Sequence, residues 1–147
     1  MAVRDIVLSL AQRIGIAEPG FVDDVAAIQF DDMVLNFHVE EKTGEMELFM
    51  DVGAAPVAAD ERLAAYSRLL KANCFARQTG GGVLGVDDEE NRVIFSHSFA
   101  AGAMDAAQLE RVVETFLNLA ETFRDALADV VQASSVTADV PTGGLRA

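Results

Sequence analysis

Apolar residues recur along this chain with two different periods, and the switches between them mark out the elements. Val3, Ile6, Val7, Leu10 and Ile14 fall three or four apart, with Arg4, Asp5, Ser9, Gln12 and Arg13 on the other side. That spacing predicts an amphipathic helix over residues 2–14. Gly15 is a fitting stop for it, and Pro19-Gly20 marks the turn beyond. Leu8 falls off the stripe.

From Val25 the period becomes two. Val25 to Phe30 reads as a short strand and Asp31-Asp32 as a hairpin turn. Met33, Leu35, Phe37 and Val39 then alternate with Val34, Asn36, His38 and Glu40. After a second turn at Glu41-Lys42-Thr43-Gly44, Met46, Leu48, Met50 and Val52 alternate with Glu47, Phe49 and Asp51. These three strands form an antiparallel meander with one apolar face. Val34 and Phe49 interrupt the polar face and mark a second, weaker apolar surface on it. A one-residue change of register would exchange the two faces.

Gly53 to Ala59 is a small-residue linker containing Pro56. Asp60 is placed to cap a second helix from Glu61, with Leu63, Tyr66, Leu70 and Leu69 on its apolar side. This helix ends near Asn73. Gly80-Gly81-Gly82 then leads into two strands paired across Asp87-Asp88-Glu89-Glu90-Asn91, the second reading Arg92 to Phe99. Asp105 and Gln108 make a capping box for a third helix. Its stripe of Leu109, Val113, Phe116, Ala120, Phe123, Leu127 and Val130 continues to about Val131. At 1.5 Å per residue that helix is about 40 Å long, so it must span the sheet or overhang it. The expected architecture is α+β: helix, three-strand meander, helix, two-strand hairpin, long helix. Residues 1–131 form one domain, and residues 132–147, rich in Ser, Thr, Pro and Gly, read as a disordered tail.

Composition narrows the classes of function. With 24 acidic residues against 11 basic ones the net charge is −13, which repels nucleic acid and anionic lipid. No apolar run is long enough to cross a bilayer, and Met1-Ala2-Val3-Arg4-Asp5 lacks the apolar block of a signal peptide. The expected location is cytoplasmic.

Candidate chemistry is sparse. Cys74, the single cysteine, paired with His38 or His97 would make a thiol nucleophile and its base, but no local signature surrounds it. The three glycines enter a strand rather than a helix and are followed by no Lys-Ser/Thr pair, unlike a phosphate loop. Asp23-Asp24, Asp31-Asp32 and Asp87 to Glu90 put carboxylates side by side, whereas a calcium loop alternates them; solvated turns are the simpler reading. No catalytic residue, cofactor or metal is therefore expected.

One set of residues matches a known pattern. Leu69-Leu70-x-x-Asn73-x-Phe75, then Thr79-Gly80-Gly81, Leu84, Asp87 and Val93, resembles the class I type III secretion chaperones of the Tir-chaperone (CesT-like) family. Leu109 to Leu127, with Phe116-Leu117-Asn118-Leu119-Ala120-Glu121, resembles that family's closing helix. The resemblance covers residues 1–131, and its motifs are structural rather than catalytic. It implies a cytoplasmic bacterial homodimer, joined through the second helix, that binds the N-terminal segment of a secreted effector as an extended, non-globular chain. On that basis Val34 and Phe49 are the expected floor of the effector site, with Leu8 as a wall. Leu63, Tyr66 and Leu70 are the expected dimer contact. Two other readings stand beside it: a thiol enzyme or ligand-binding domain using Cys74, and a regulatory adaptor of the same fold outside secretion.

Overall fold

The computed structural model describes residues 2–139, with side chains through Val131. The first helix, α1, runs Val3–Ile14, and its chain leaves through Gly15 in the left-handed conformation at φ 78°. Six strands follow in one antiparallel sheet: β1 (Phe21–Val22), β2 (Val25–Phe30), β3 (Met33–Glu40), β4 (Glu45–Ala54), β5 (Val83–Asp87) and β6 (Arg92–Ala100). Their order across the sheet is β1-β2-β3-β4-β6-β5. Helix α2 (Ala59–Asn73) separates β4 from β5, and α3 (Ala106–Asp139) closes the chain. The α+β order expected from the sequence is the order observed.

Three local features differ from expectation. Strand β1 was not legible, because two residues carry no period. It is held by a hairpin turn whose central residues, Asp23 and Asp24, both have positive φ (50° and 64°). That combination matches the right-handed twist of the flanking strands. Helix α2 begins at Ala59, with Ala58 rather than Asp60 at the N-cap and no side-chain cap. Asp60 and Glu61 instead occupy the first turn, where negative charge suits the helix dipole. Arg62 Nε donates to the Pro56 carbonyl at 2.9 Å and fixes the entry of the chain. Helix α3 continues to Asp139, past the point where its apolar stripe ends. A formed helix adds one hydrogen bond per residue without needing an apolar face, so part of the assigned tail is helical. Residues 140–147 of that tail lie outside the described residues.

All three helices cover one face of the sheet. Helix α3 touches α1, α2 and β4, so the helices form a single layer. Leu35, Phe37, Met46, Leu48, Met50 and Phe95 point into that layer and are fully buried with Ile6 and Leu10 of α1. Phe95 stacks on Phe116 of α3 at 4.5 Å between centroids and meets Phe123 edge-on at 5.1 Å. The capping box forms as expected: Gln108 Oε1 accepts from the Asp105 N–H at 2.9 Å, and Asp105 Oδ1 from the Gln108 N–H at 2.8 Å.

A second helix cap is invisible in the sequence. The Glu41 carboxylate, in the turn after β3, accepts hydrogen bonds from the N–H groups of Val3 and Arg4 at 2.9 Å each. These are two of the unpaired donors at the start of α1. The two bonds, that from Arg4 the stronger, hold the Glu41 carboxyl below the ordinary glutamate value of 4.5. A lowered folded-state value means that the stabilisation is present above pH 4.5 and is lost as pH falls through the folded value. Glu41→Ala is therefore expected to lower Tm at neutral pH and to converge on the parent in acid. Thermal melts of both proteins across that range check it; a difference that persists undiminished to the acid end would show that the cap is not the cause.

Candidate partner-binding surfaces

The helix layer leaves the other sheet face bare. The alternation places Val34, Asn36 and His38 of β3 there, with Glu47, Phe49 and Asp51 of β4, as the period-two reading expected. Val34 is 48% exposed and Phe49 is half-buried. The strand register extends the apolar surface beyond those two. Phe49 lies opposite Ser96 and then Val83, while Asp51 lies opposite Ile94. Val34, Phe49, Ile94 and Val83 thus make an apolar band across four strands, and Val83 is 59% exposed. Ile94 was missed because Val93-Ile94-Phe95 is a continuous apolar run with no alternation to read.

Leu8 is not brought to this band. It sits half-exposed on α1, which packs on the helix-covered side of the sheet. Two ion pairs lie at the end of the band where β3 and β4 stop pairing. Arg92 Nε donates to Asp51 at 2.7 Å, and Arg124 to Asp32 at 2.9 Å. The Arg124 bond holds the Asp32 carboxyl below its usual range.

The two sheet edges are unlike. At β5 the Asn73 side chain acts as a short strand partner: Nδ2 donates to the Leu84 carbonyl at 2.7 Å, and Oδ1 accepts from the Leu84 N–H at 2.8 Å. The buried Thr79 hydroxyl donates to the Gly82 carbonyl at 2.7 Å. That edge is closed at Leu84. At the opposite side β1 pairs only through Phe21–Ala26 and Val22–Val25, so residues 27–30 of β2, paired with β3 on one side, have no strand on their outer side.

Helix α2 carries a second apolar surface. Ala65, Leu69 and Ala72 face the core, while Leu63 and Leu70 point outward at 73% and 71% exposure, with Tyr66 half-buried between them. Tyr66 and Leu70, with Leu84 and Val86 of β5, line a depression of about 220 Å³. Beyond the helix end a 3-10 turn (Cys74–Ala76) holds Phe75 at φ 57° and 83% exposed.

Among the described residues Cys74 has no side-chain hydrogen bond to either histidine. It is exposed at the end of α2, and His38 and His97 lie on opposite faces of the sheet. Among the described residues no three His, Cys, Asp or Glu side chains are grouped to hold a metal ion, and no helix is long and apolar enough to cross a membrane.

A helix layer on one face of a six-stranded antiparallel sheet is an arrangement this chain shares with solved structures that include a type III secretion chaperone. The chain overlays the ExsC–ExsE complex at a TM-score of 0.71 and 18% identity, over 85% of this chain and 92% of that one. It matches the Yersinia pestis type III secretion chaperone SycH, solved with a stable fragment of YscM2, at 0.63 and 16%, covering 82% and 98%. It matches the heterodimeric ExoU–SpcU complex of Pseudomonas aeruginosa at 0.62 and 20%, covering 85% and 96%. At such identities the likeness is one of fold. Residues 5–124 match the model of the Tir chaperone protein (CesT) family, and the chain belongs to that family. A Chlamydia pneumoniae protein, CPj0713/CpB0740, is 37% identical over 79 residues, which are 54% of this chain and 58% of that one. The chain thus spans little more than half the length of this curated relative.

Proposed function

We propose that this chain is a cytoplasmic chaperone that binds the N-terminal segment of a type III secreted effector and keeps it extended until secretion. The observation that carries the reading is the bare sheet face with its Val34–Phe49–Ile94–Val83 band beside an unpaired edge at residues 27–30 of β2. An extended segment gains backbone hydrogen bonds by adding to an open edge and selectivity by seating alternate side chains on apolar surface. With Asn73 occupying β5, the β2 edge is the one that accepts it. Leu8, on the helix side, contacts a different part of the same segment as it wraps round the edge. The reading includes no catalytic step, cofactor or nucleic acid. In support, solved relatives of the fold include SycH with a fragment of YscM2 and the ExoU–SpcU complex.

The working form is a homodimer built on Leu63, Tyr66 and Leu70. Two large aliphatic side chains left outward on one helix face, flanked by a depression, suit a self-complementary contact. One experiment tests both parts: co-expression with the N-terminal segment of a candidate effector, read by light scattering. The parent is expected at twice its 15.7 kDa plus the segment. Leu70→Asp should fall to the single-chain mass, and Phe49→Asp should keep the dimer but lose the segment. A parent running as a bare single chain contradicts the dimer, and a segment retained by Phe49→Asp contradicts the site.

A further inference from the structure

Asn73 closes the β5 edge, but Phe75, two residues on, takes no part in the core. At 83% it is the most exposed large apolar side chain among the described residues. Its backbone is held at φ 57° and ψ 17°, and Ala76 follows at φ 54°. That left-handed region suits glycine or asparagine and is an outlier for a bulky side chain. Such outliers cluster at functional contacts. The Arg77 guanidinium lies over one face of the ring, 5.4 Å from its centroid, and fixes its direction.

The second observation is the depression of about 220 Å³ between α2 and β5, walled by Tyr66, Leu69, Leu70, Leu84 and Val86. Asn73 also reaches it, but with its amide already bonded to Leu84. An enclosed cavity of about 150 Å³ takes a benzene ring, so this hollow has room for a phenyl group. Phe75 is not among the residues that line it in its own chain.

A ring and a matching hollow on one surface are what a two-fold contact needs, because residue i then meets residue j and j meets i. The spacing fits as well. When two α2 helices run antiparallel about a point midway between Leu70 and Lys71, Phe75 and Tyr66 lie equally far to either side, about 7 Å at 1.5 Å per residue. Each Phe75 then falls opposite the other protomer's hollow.

We propose that the occupant of the hollow is a second copy of this chain, with Phe75 of each protomer seated between Tyr66, Leu70 and Val86 of the other. This contact rests on the homodimer reading and supplies its anchor.

The test pairs two impaired variants. Phe75→Ala removes the ring, and Val86→Glu puts a charge in the hollow; both positions are exposed in the single chain, so the fold should hold by circular dichroism. A dimer of either variant lacks both contacts and is expected to be about a hundredfold weaker by sedimentation equilibrium, about tenfold for each contact. Mixed one to one, the Phe75→Ala chain offers an open hollow to the intact ring of the Val86→Glu chain. One contact returns, and the mixed dimer should be about tenfold tighter than either variant alone. A mixture no tighter than its components, or variants that associate like the parent, would overturn the contact while the parent's dimer upheld the homodimer reading. A parent that stays a single chain would overturn both. A Phe75→Ala dimer of full strength that no longer held an effector segment would assign the ring to the effector, and the contact between copies would fall.

Discussion

Gly82→Ala is expected to destabilise the protein by about 3 kcal/mol, the upper end of overpacking costs. The reason is space rather than backbone freedom. A Cβ at this buried position would lie 2.6 Å from the Ser96 carbonyl oxygen and 2.7 Å from Phe95 Cε1. The first of these atoms is backbone of the adjacent strand, and the second belongs to a ring locked between Phe116 and Phe123. The carbonyl cannot retreat without separating β5 from β6, and the ring cannot without breaking the aromatic stack. Gly85, three residues along, is the internal control: a Cβ there meets nothing within 4 Å. Gly85→Ala should be neutral or slightly stabilising, since alanine restricts the unfolded chain. Urea midpoints at one fixed protein concentration check the pair. Similar losses at both positions would show that the link needs flexibility rather than clearance.

Asn73→Ala is expected to cost about 2–4 kcal/mol, the penalty for stripping partners from two backbone groups of a partly buried strand. Both Leu84 groups lose their bonds at once, since one amide serves the N–H and the carbonyl together. Asn73→Asp sharpens the reading. A carboxylate still accepts from the Leu84 N–H but turns its other oxygen toward the Leu84 carbonyl, so the loss at neutral pH should match or exceed that of alanine. Protonation in acid restores a donor and should return part of the stability. The variants also reopen the β5 edge, and an open edge invites pairing with another chain. Aggregation rising with protein concentration is therefore expected beside the lower midpoint. A variant as stable and as soluble as the parent would show that Asn73 is not the edge's partner.

Asn73 belongs to the Asn-x-Phe motif that stood out in the sequence and Gly82 directly follows Thr79-Gly80-Gly81, and their roles show how far the sequence reached. It determined what is local. The 3.6-residue stripes of α1 and α3, the capping box at Asp105 and the period-two strands were legible, because each is set by hydrogen bonds and side-chain directions within a few residues. The alternation within β3 and β4 was legible for the same reason, and it put Val34 and Phe49 on the expected face.

Tertiary structure decided the rest. Only the packing of three helices into one layer determined which face of the sheet stays bare, and it left Leu8 on the covered side. Only strand pairing brought Ile94 and Val83 into line with Phe49, across intervals of tens of residues. The Glu41 cap on α1, the Asn73 closure of β5 and the inward His97 are also contacts between distant segments. No period or motif encodes these, because each depends on where the chain returns after a turn, and that is fixed by burial of the whole core rather than by any one stretch.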